Sequence, residues 1–147
     1  MNLALLLLHA AATLFMVGLI WFVQVVHYPL ASRVGEAAFA AYQQAHMAKT
    51  AWVVVPPMLV ELAAAGLLVV NRPPGIPAWA PWVGVALLAV VWASTATLQV
   101  PLHGALAAGL DPERVSRLVA TNWVRTVGWS LRGLLALAFI AWAWESR

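Results

Sequence analysis

Residues 3–26 read LALLLLHAAATLFMVGLIWFVQVV, and this stretch decides the fold. It carries no charged residue, and about 20 apolar residues in a helix are enough to cross the hydrocarbon of a bilayer. Three later blocks match it, 51–70, 79–102 and 118–144. None shows the short alternating segments of a membrane β-barrel. The expected architecture is therefore all-α: an integral membrane four-helix bundle with short loops, forming a single domain over residues 1–147. The spans are predicted at 3–27, 45–70, 79–103 and 114–144.

Composition agrees. The 147 residues are 64% hydrophobic and only 9% charged, against about a quarter charged in soluble domains. Residues 1–3 lack the basic start of a signal peptide and the apolar run is too long for one, so the first block reads as a retained helix. With no cysteine, disulfide, thiolate and iron–sulfur chemistry are excluded. The net charge of +3 is spread over few, scattered basic residues, so it signals membrane orientation and not nucleic-acid binding. Seven arginines against the single Lys49, with many Ala and Val, fit a GC-rich bacterial gene and hence a bacterial cytoplasmic membrane.

The breaks are local. His27-Tyr28-Pro29 closes the first span, because proline disfavours helix in the residue before it. A helical pattern from 37 to 70 follows, longer than a bilayer needs, and Pro56-Pro57 is expected to kink it. Residues 71–77, NRPPGIP, form a tight linker. The third span ends around Pro101-Leu102-His103-Gly104. Asp111-Pro112-Glu113 is a helix start, with an N-cap acid, a first-turn proline and an acid at the positive dipole end. No internal repeat is evident. Trp79, Trp82, Trp142 and Trp144 gather at one end, as in an interfacial aromatic belt. That puts both termini and the 71–77 linker on one face. Arg33, Lys49, Arg114 and Arg117 lie on the other, which the positive-inside rule makes cytoplasmic against the opposing votes of Arg72 and Arg147. Both termini are then periplasmic.

Polar residues inside spans are costly, so they carry information. Helical spacing assembles one stripe per span, each expected to face inward: Trp21, Gln24 and Tyr28 with His27; Tyr42, His46, Lys49 and Val53; Trp92, Thr95, Gln99 and His103; Asn122, Arg125, Trp129 and Arg132. Counted from Leu3, Val70 and Trp79, the residues His27, His46 and His103 each lie 24 positions away. At about 1.5 Å per residue they share a level roughly 36 Å up. Three histidines in one layer suit a transition metal such as copper, iron or zinc. Haem held by two of them is a tight fit for so small a bundle. The plainer reading is of interfacial imidazoles bonded to carbonyls or headgroups, since no local His-x-x-His spacing is present. His9, near the opposite face without polar neighbours, reads as structural.

Arg125 lies about two turns inside the last span, beside Asn122 and Trp123, where a charge is expensive. Its planar fork suits a carboxylate, an enolate or another oxyanion; pairing with carbonyls freed near Pro101 is the structural alternative. Glu61 and Arg132 come out at similar mid-membrane depth and are expected to neutralise each other as a structural ion pair. No phosphate loop, nucleophile elbow or glycosidase carboxylate pair occurs. Ser94, Thr95 and Thr97 read as helix-packing residues.

Gln99-Val100-Pro101-Leu102-His103, followed by Thr121-Asn122-Trp123-Val124-Arg125-Thr126 and Trp129, resembles the second half of the anthrone-oxygenase-like family of small four-helix membrane proteins. His27-Tyr28-Pro29 resembles the motif that ends their first helix. The resemblance implies oxygen-dependent oxidation of polycyclic phenolic anthrones to quinones. His103 departs from it, since asparagine is expected there, and metal ligation is no property of that family.

These readings converge on a membrane-embedded oxidoreductase for a small lipophilic substrate, aromatic or quinone-like. Arg125, Asn122 and Tyr28 are its candidate catalytic residues, with Gln24, Tyr42, Gln99, Trp123 and Trp129 contacting substrate. His27, His46 and His103 bind a metal or relay protons. The rival class is a non-enzymatic binding or transport module for a metal, haem or small anion; a structural subunit of a complex is the third. The lipid bilayer is the one certain partner, no nucleic acid is expected, and a homo-oligomer is compatible with the sequence.

Overall fold

A computed structural model describes residues 2–146, so the orientation vote of Arg147 falls outside it. Four helices are long and apolar enough to cross a membrane: α1 (Leu3–Ala31), α2 (Glu36–Val70), α3 (Ala80–Leu106) and α4 (Pro112–Glu145). They form an antiparallel bundle, and no strand occurs among the described residues. The protein is an integral membrane four-helix bundle. Helix α4 is central, packing against α1 on one side and α3 on the other, while α2 closes on α1 and touches α3 least.

Two small residues let α4 come close. A Cβ added at Gly128 would sit 2.7 Å from Val91 of α3, and one at Gly133 would sit 2.9 Å from Val17 of α1. Small residues are the usual means of tight packing between membrane helices, where lipid offers no hydrophobic drive. The start of α4 is built as its sequence implies. Asp111 Oδ1 accepts from the backbone N–H of Glu113 and Arg114 at 3.0 and 3.1 Å.

The first and third spans run further than the sequence suggests. Neither Pro29 nor Pro101 ends its helix, because each follows a π-helical turn, Val23–His27 in α1 and Thr95–Gln99 in α3. The Tyr28 N–H reaches back to Val23 O and the Val100 N–H to Thr95 O, each spanning five residues. A proline in an α-helix both lacks an N–H and clashes with the carbonyl four residues back. The wider turn moves that carbonyl aside, so the helix continues. The same device occurs twice, a recurrence that the sequence alone does not display. Helix α2 is likewise continuous through Pro56-Pro57.

A closed polar network lies deep in the bundle. Glu61 of α2 accepts from Thr13 Oγ1 (2.9 Å) and Arg132 Nε (2.8 Å) with one oxygen, and from Trp129 Nε1 (3.0 Å) with the other. Arg132 also donates to the Gly84 carbonyl of α3 and lies 3.4 Å from His9 Nε2. Each of the four helices contributes. His9 is thus not isolated from polar groups: it stacks on Phe139 and borders the ion pair.

Candidate functional site

Nearer the opposite end from the Trp79–Trp142 contact lies a second polar layer, and it is not closed. The rings of His27, His46 and His103 meet there, with centroids 4.6 Å apart for the first pair and 5.1 Å for the second. Gln43 Nε2 donates to the His103 backbone carbonyl (3.3 Å) and lies 2.8 Å from His103 Nδ1. A carbonyl only accepts, so that atom is the amide nitrogen and His103 Nδ1 accepts from it. His103 Nε2 then carries the proton and donates to the Tyr28 hydroxyl oxygen at 2.8 Å. Tyr28 keeps its own O–H to donate elsewhere.

His46 Nδ1 lies 2.9 Å from His27 Nε2 and 3.1 Å from Thr50 Oγ1. The Tyr42 hydroxyl is 3.5 Å from the same His27 nitrogen, and its ring stacks on His46. This arrangement bears on the metal expectation. Both His103 nitrogens are engaged by protein groups, and the facing nitrogens of His27 and His46 share a hydrogen bond. Among the described residues no group of three or more His, Cys, Asp or Glu side chains is placed to hold an ion. The residues as arranged do not fit a three-histidine centre.

Arg125 is held from behind. Gln24 Nε2 donates to the Val119 carbonyl (3.1 Å), which fixes Gln24 Oε1 as the acceptor for Asn122 Nδ2 (2.8 Å). Asn122 Oδ1 in turn accepts from the Arg125 guanidinium at 3.2 Å. The guanidinium also lies 5.3 Å over the Trp129 ring, a cation–π contact, and is an electrostatic neighbour of the Tyr28 hydroxyl. Only 7% of Arg125 is exposed, its Nε has no partner, and no carboxylate pairs with it among the described residues.

These groups open onto a cavity of about 390 Å³ between α2 and α3. Tyr28, His46, Gln99, His103 and Arg125 form its polar end; Val54, Val55 and Met58 line its deeper end. Gln99 donates to Thr121 Oγ1 at 2.9 Å, but its buried Oε1 has no partner, nor has the indole N–H of Trp92 on the same wall. The mouth faces outward between Met47, Ala51 and Val55 of α2 and Ala96 and Val100 of α3, all exposed. A second cavity of about 230 Å³ between Leu3, Pro73 and Ile140 is lined without an ionisable side chain.

The structure therefore sorts the expected residues. Tyr28, His46, Gln99, His103 and Arg125 reach the cavity, with His27 and Tyr42 directly behind His46. Gln24 and Asn122 brace Arg125 without lining it. Trp129 is fully buried beneath Arg125, bonded to Glu61. Trp123 is 45% exposed on the outer surface, edge-on to Trp21, and takes no part in the cavity. Lys49 and Val53 also point outward, so the α2 stripe is turned from the one expected. Gln43 and Thr50 join the site from outside the stripe read from the sequence: Gln43 lies one turn before His46 and Thr50 one turn after it, on the same inward face.

No protein-family model, curated protein sequence or solved structure matches this chain.

Proposed function

We propose that this protein is a membrane-embedded oxidoreductase that takes a lipid-soluble phenol or quinol-type aromatic directly from the bilayer. One observation carries the reading: a buried guanidinium with no carboxylate partner faces a cavity whose mouth is apolar and lipid-facing. An isolated buried charge is costly, so the missing anion is best supplied by the ligand. The mouth selects for a molecule that reaches it through lipid.

The side chains suit proton removal from such a ligand. In the tautomer in which His46 Nδ1–H donates to His27 Nε2, His46 Nε2 is the free acceptor of the ring and takes the ligand's hydroxyl proton. The electron pair left behind spreads onto an oxygen that Arg125 and the Tyr28 O–H stabilise, as preformed donors do at developing oxyanions. With dioxygen as co-substrate, the quinol gives up two electrons and two protons, becomes the quinone, and leaves hydrogen peroxide. Asn122 and Gln24 position Arg125, while Gln43 positions His103. The resemblance to anthrone oxygenases points to the same substrate chemistry. The protein is proposed to sit in a bacterial cytoplasmic membrane with Arg33 and Arg117 on the cytoplasmic side.

Oxygen consumption in nanodiscs supplied with an alkylated 1,4-naphthoquinol tests this. Wild type should exceed empty nanodiscs, and His46→Gln and Arg125→Gln should return to the empty rate. Quenching of tryptophan fluorescence by the quinone, without oxygen consumption, would leave a binding module in place of the enzyme. Neither signal would refute both.

A further inference from the structure

The shape of the cavity says more about its occupant than the polar end does. Its wall on α2 runs from His46 to Met58, roughly 18 Å along the helix axis at about 1.5 Å per residue. The cavity of about 390 Å³ is thus drawn out along α2 as a slot. Polarity runs along it. Tyr28, Gln99, His103 and Arg125 line its upper end, where Arg125 Nε and Gln99 Oε1 are buried without a partner. Below Thr50 the α2 wall is Ala51, Val54, Val55 and Met58.

We propose that the ligand is a tailed ring. Its head carries an acceptor oxygen for Arg125 and a hydroxyl for Gln99, and its aliphatic chain runs down the slot between α2 and α3 toward the middle of the bilayer. The inference rests on the function proposed above and narrows it, because a compact fused tricycle would fill the head and leave the slot empty. Gln99 supplies the second polar contact. It is 1% exposed, its nitrogen is committed to Thr121, and its oxygen has no partner. A hydroxyl on the head satisfies it; a methyl ether there cannot.

The test is quenching of tryptophan fluorescence in nanodiscs by 2-hydroxy-1,4-naphthoquinones bearing a methyl or an octyl group at the 3-position. Affinities are expressed per mole of lipid, so that partitioning cancels. Val55→Trp obstructs the slot from its α2 wall, about 14 Å along the helix from His46. Val55 is exposed at the mouth, so the change does not disturb the core. This variant should weaken the octyl compound at least tenfold and leave the methyl compound within twofold. Gln99→Leu should weaken both hydroxyl compounds at least fivefold and leave their 2-methoxy ethers unchanged. Equal effects of Val55→Trp on the two chain lengths would overturn the tail. So would 1,8-dihydroxyanthrone binding wild type as tightly as the octyl compound. Oleate competing at equal affinity would overturn the ring. Binding of none of these compounds by wild type would instead sink the function proposed above.

Discussion

Replacing Glu61 with alanine should be among the most damaging single changes in this protein. The carboxylate satisfies three donors, Thr13 Oγ1, Arg132 Nε and Trp129 Nε1, at 2.8 to 3.0 Å. Removing it leaves the Arg132 guanidinium, 1% exposed, with the Gly84 carbonyl and His9 as its only neighbours in the network. Breaking one side of a buried ion pair costs about 3–5 kcal/mol. An orphaned buried donor such as the Trp129 indole adds about 1–3 kcal/mol, while Thr13 can turn to its own helix carbonyl. The sum, about 4–8 kcal/mol, is comparable with the whole stability of an ordinary domain, about 5–15 kcal/mol. Adding Arg132→Leu removes the stranded charge and should recover about half of the loss, leaving cavity and donor costs. Thermal unfolding in detergent, followed by intrinsic fluorescence, reads both. The reasoning fails if Glu61→Ala lies within about 1 kcal/mol of wild type, or if the double variant is no more stable than the single one.

Other outcomes follow from the geometry. Gly128→Val drives a branched side chain into Val91 and should cost about 1–3 kcal/mol in the same unfolding assay, whereas Gly18→Ala, with open space around it, should be neutral. Asn122→Ala releases Arg125 without removing its charge, so naphthoquinone affinity in nanodiscs should fall about tenfold, equivalent to about 1.4 kcal/mol; an unchanged affinity would deny Asn122 its positioning role. For orientation, cysteine replacing Ser146 should react with an impermeant maleimide added outside intact cells, and cysteine replacing Arg33 should not. The reverse pattern would invert the topology while leaving the four spans untouched.

The spans were legible because length and apolarity are one-dimensional properties. The level shared by the three histidines was legible too, since helix rise is nearly constant and the two π turns shorten α1 and α3 alike. Rotation about each axis was harder. Starting the α2 stripe at Tyr42 in place of Gln43 turns the inferred face by about 100°, which brings Lys49 and Val53 inward on paper. The buried residues Phe39, Gln43, Met58, Glu61, Ala65 and Leu68 show the true face. Trp123 could have been set aside on the same ground, as it lies one residue from Asn122 and so about 100° off the Asn122–Arg125–Trp129 face. The persistence of α1 and α3 past their prolines was not legible. Proline announces a missing hydrogen bond, and only the packed helix shows that a five-residue loop of backbone replaces it.

Trp129 explains why the two polar layers belong to one design. Its indole N–H binds Glu61 in the closed layer below, and its face carries the Arg125 guanidinium of the open layer above. The ring is fully buried, so Arg125 cannot swing down toward Glu61 and form the ion pair that would otherwise satisfy both. Glu61 is in any case already saturated by Thr13, Trp129 and Arg132. A second cation beside it would gain little and would face like-charge repulsion from Arg132. The guanidinium of Arg125 is thereby kept unneutralised by the protein, braced from behind by the Gln24–Asn122 amides and turned toward the cavity. The closed layer stabilises the bundle, and by occupying the only buried carboxylate among the described residues, it leaves the charge of the open layer for a ligand.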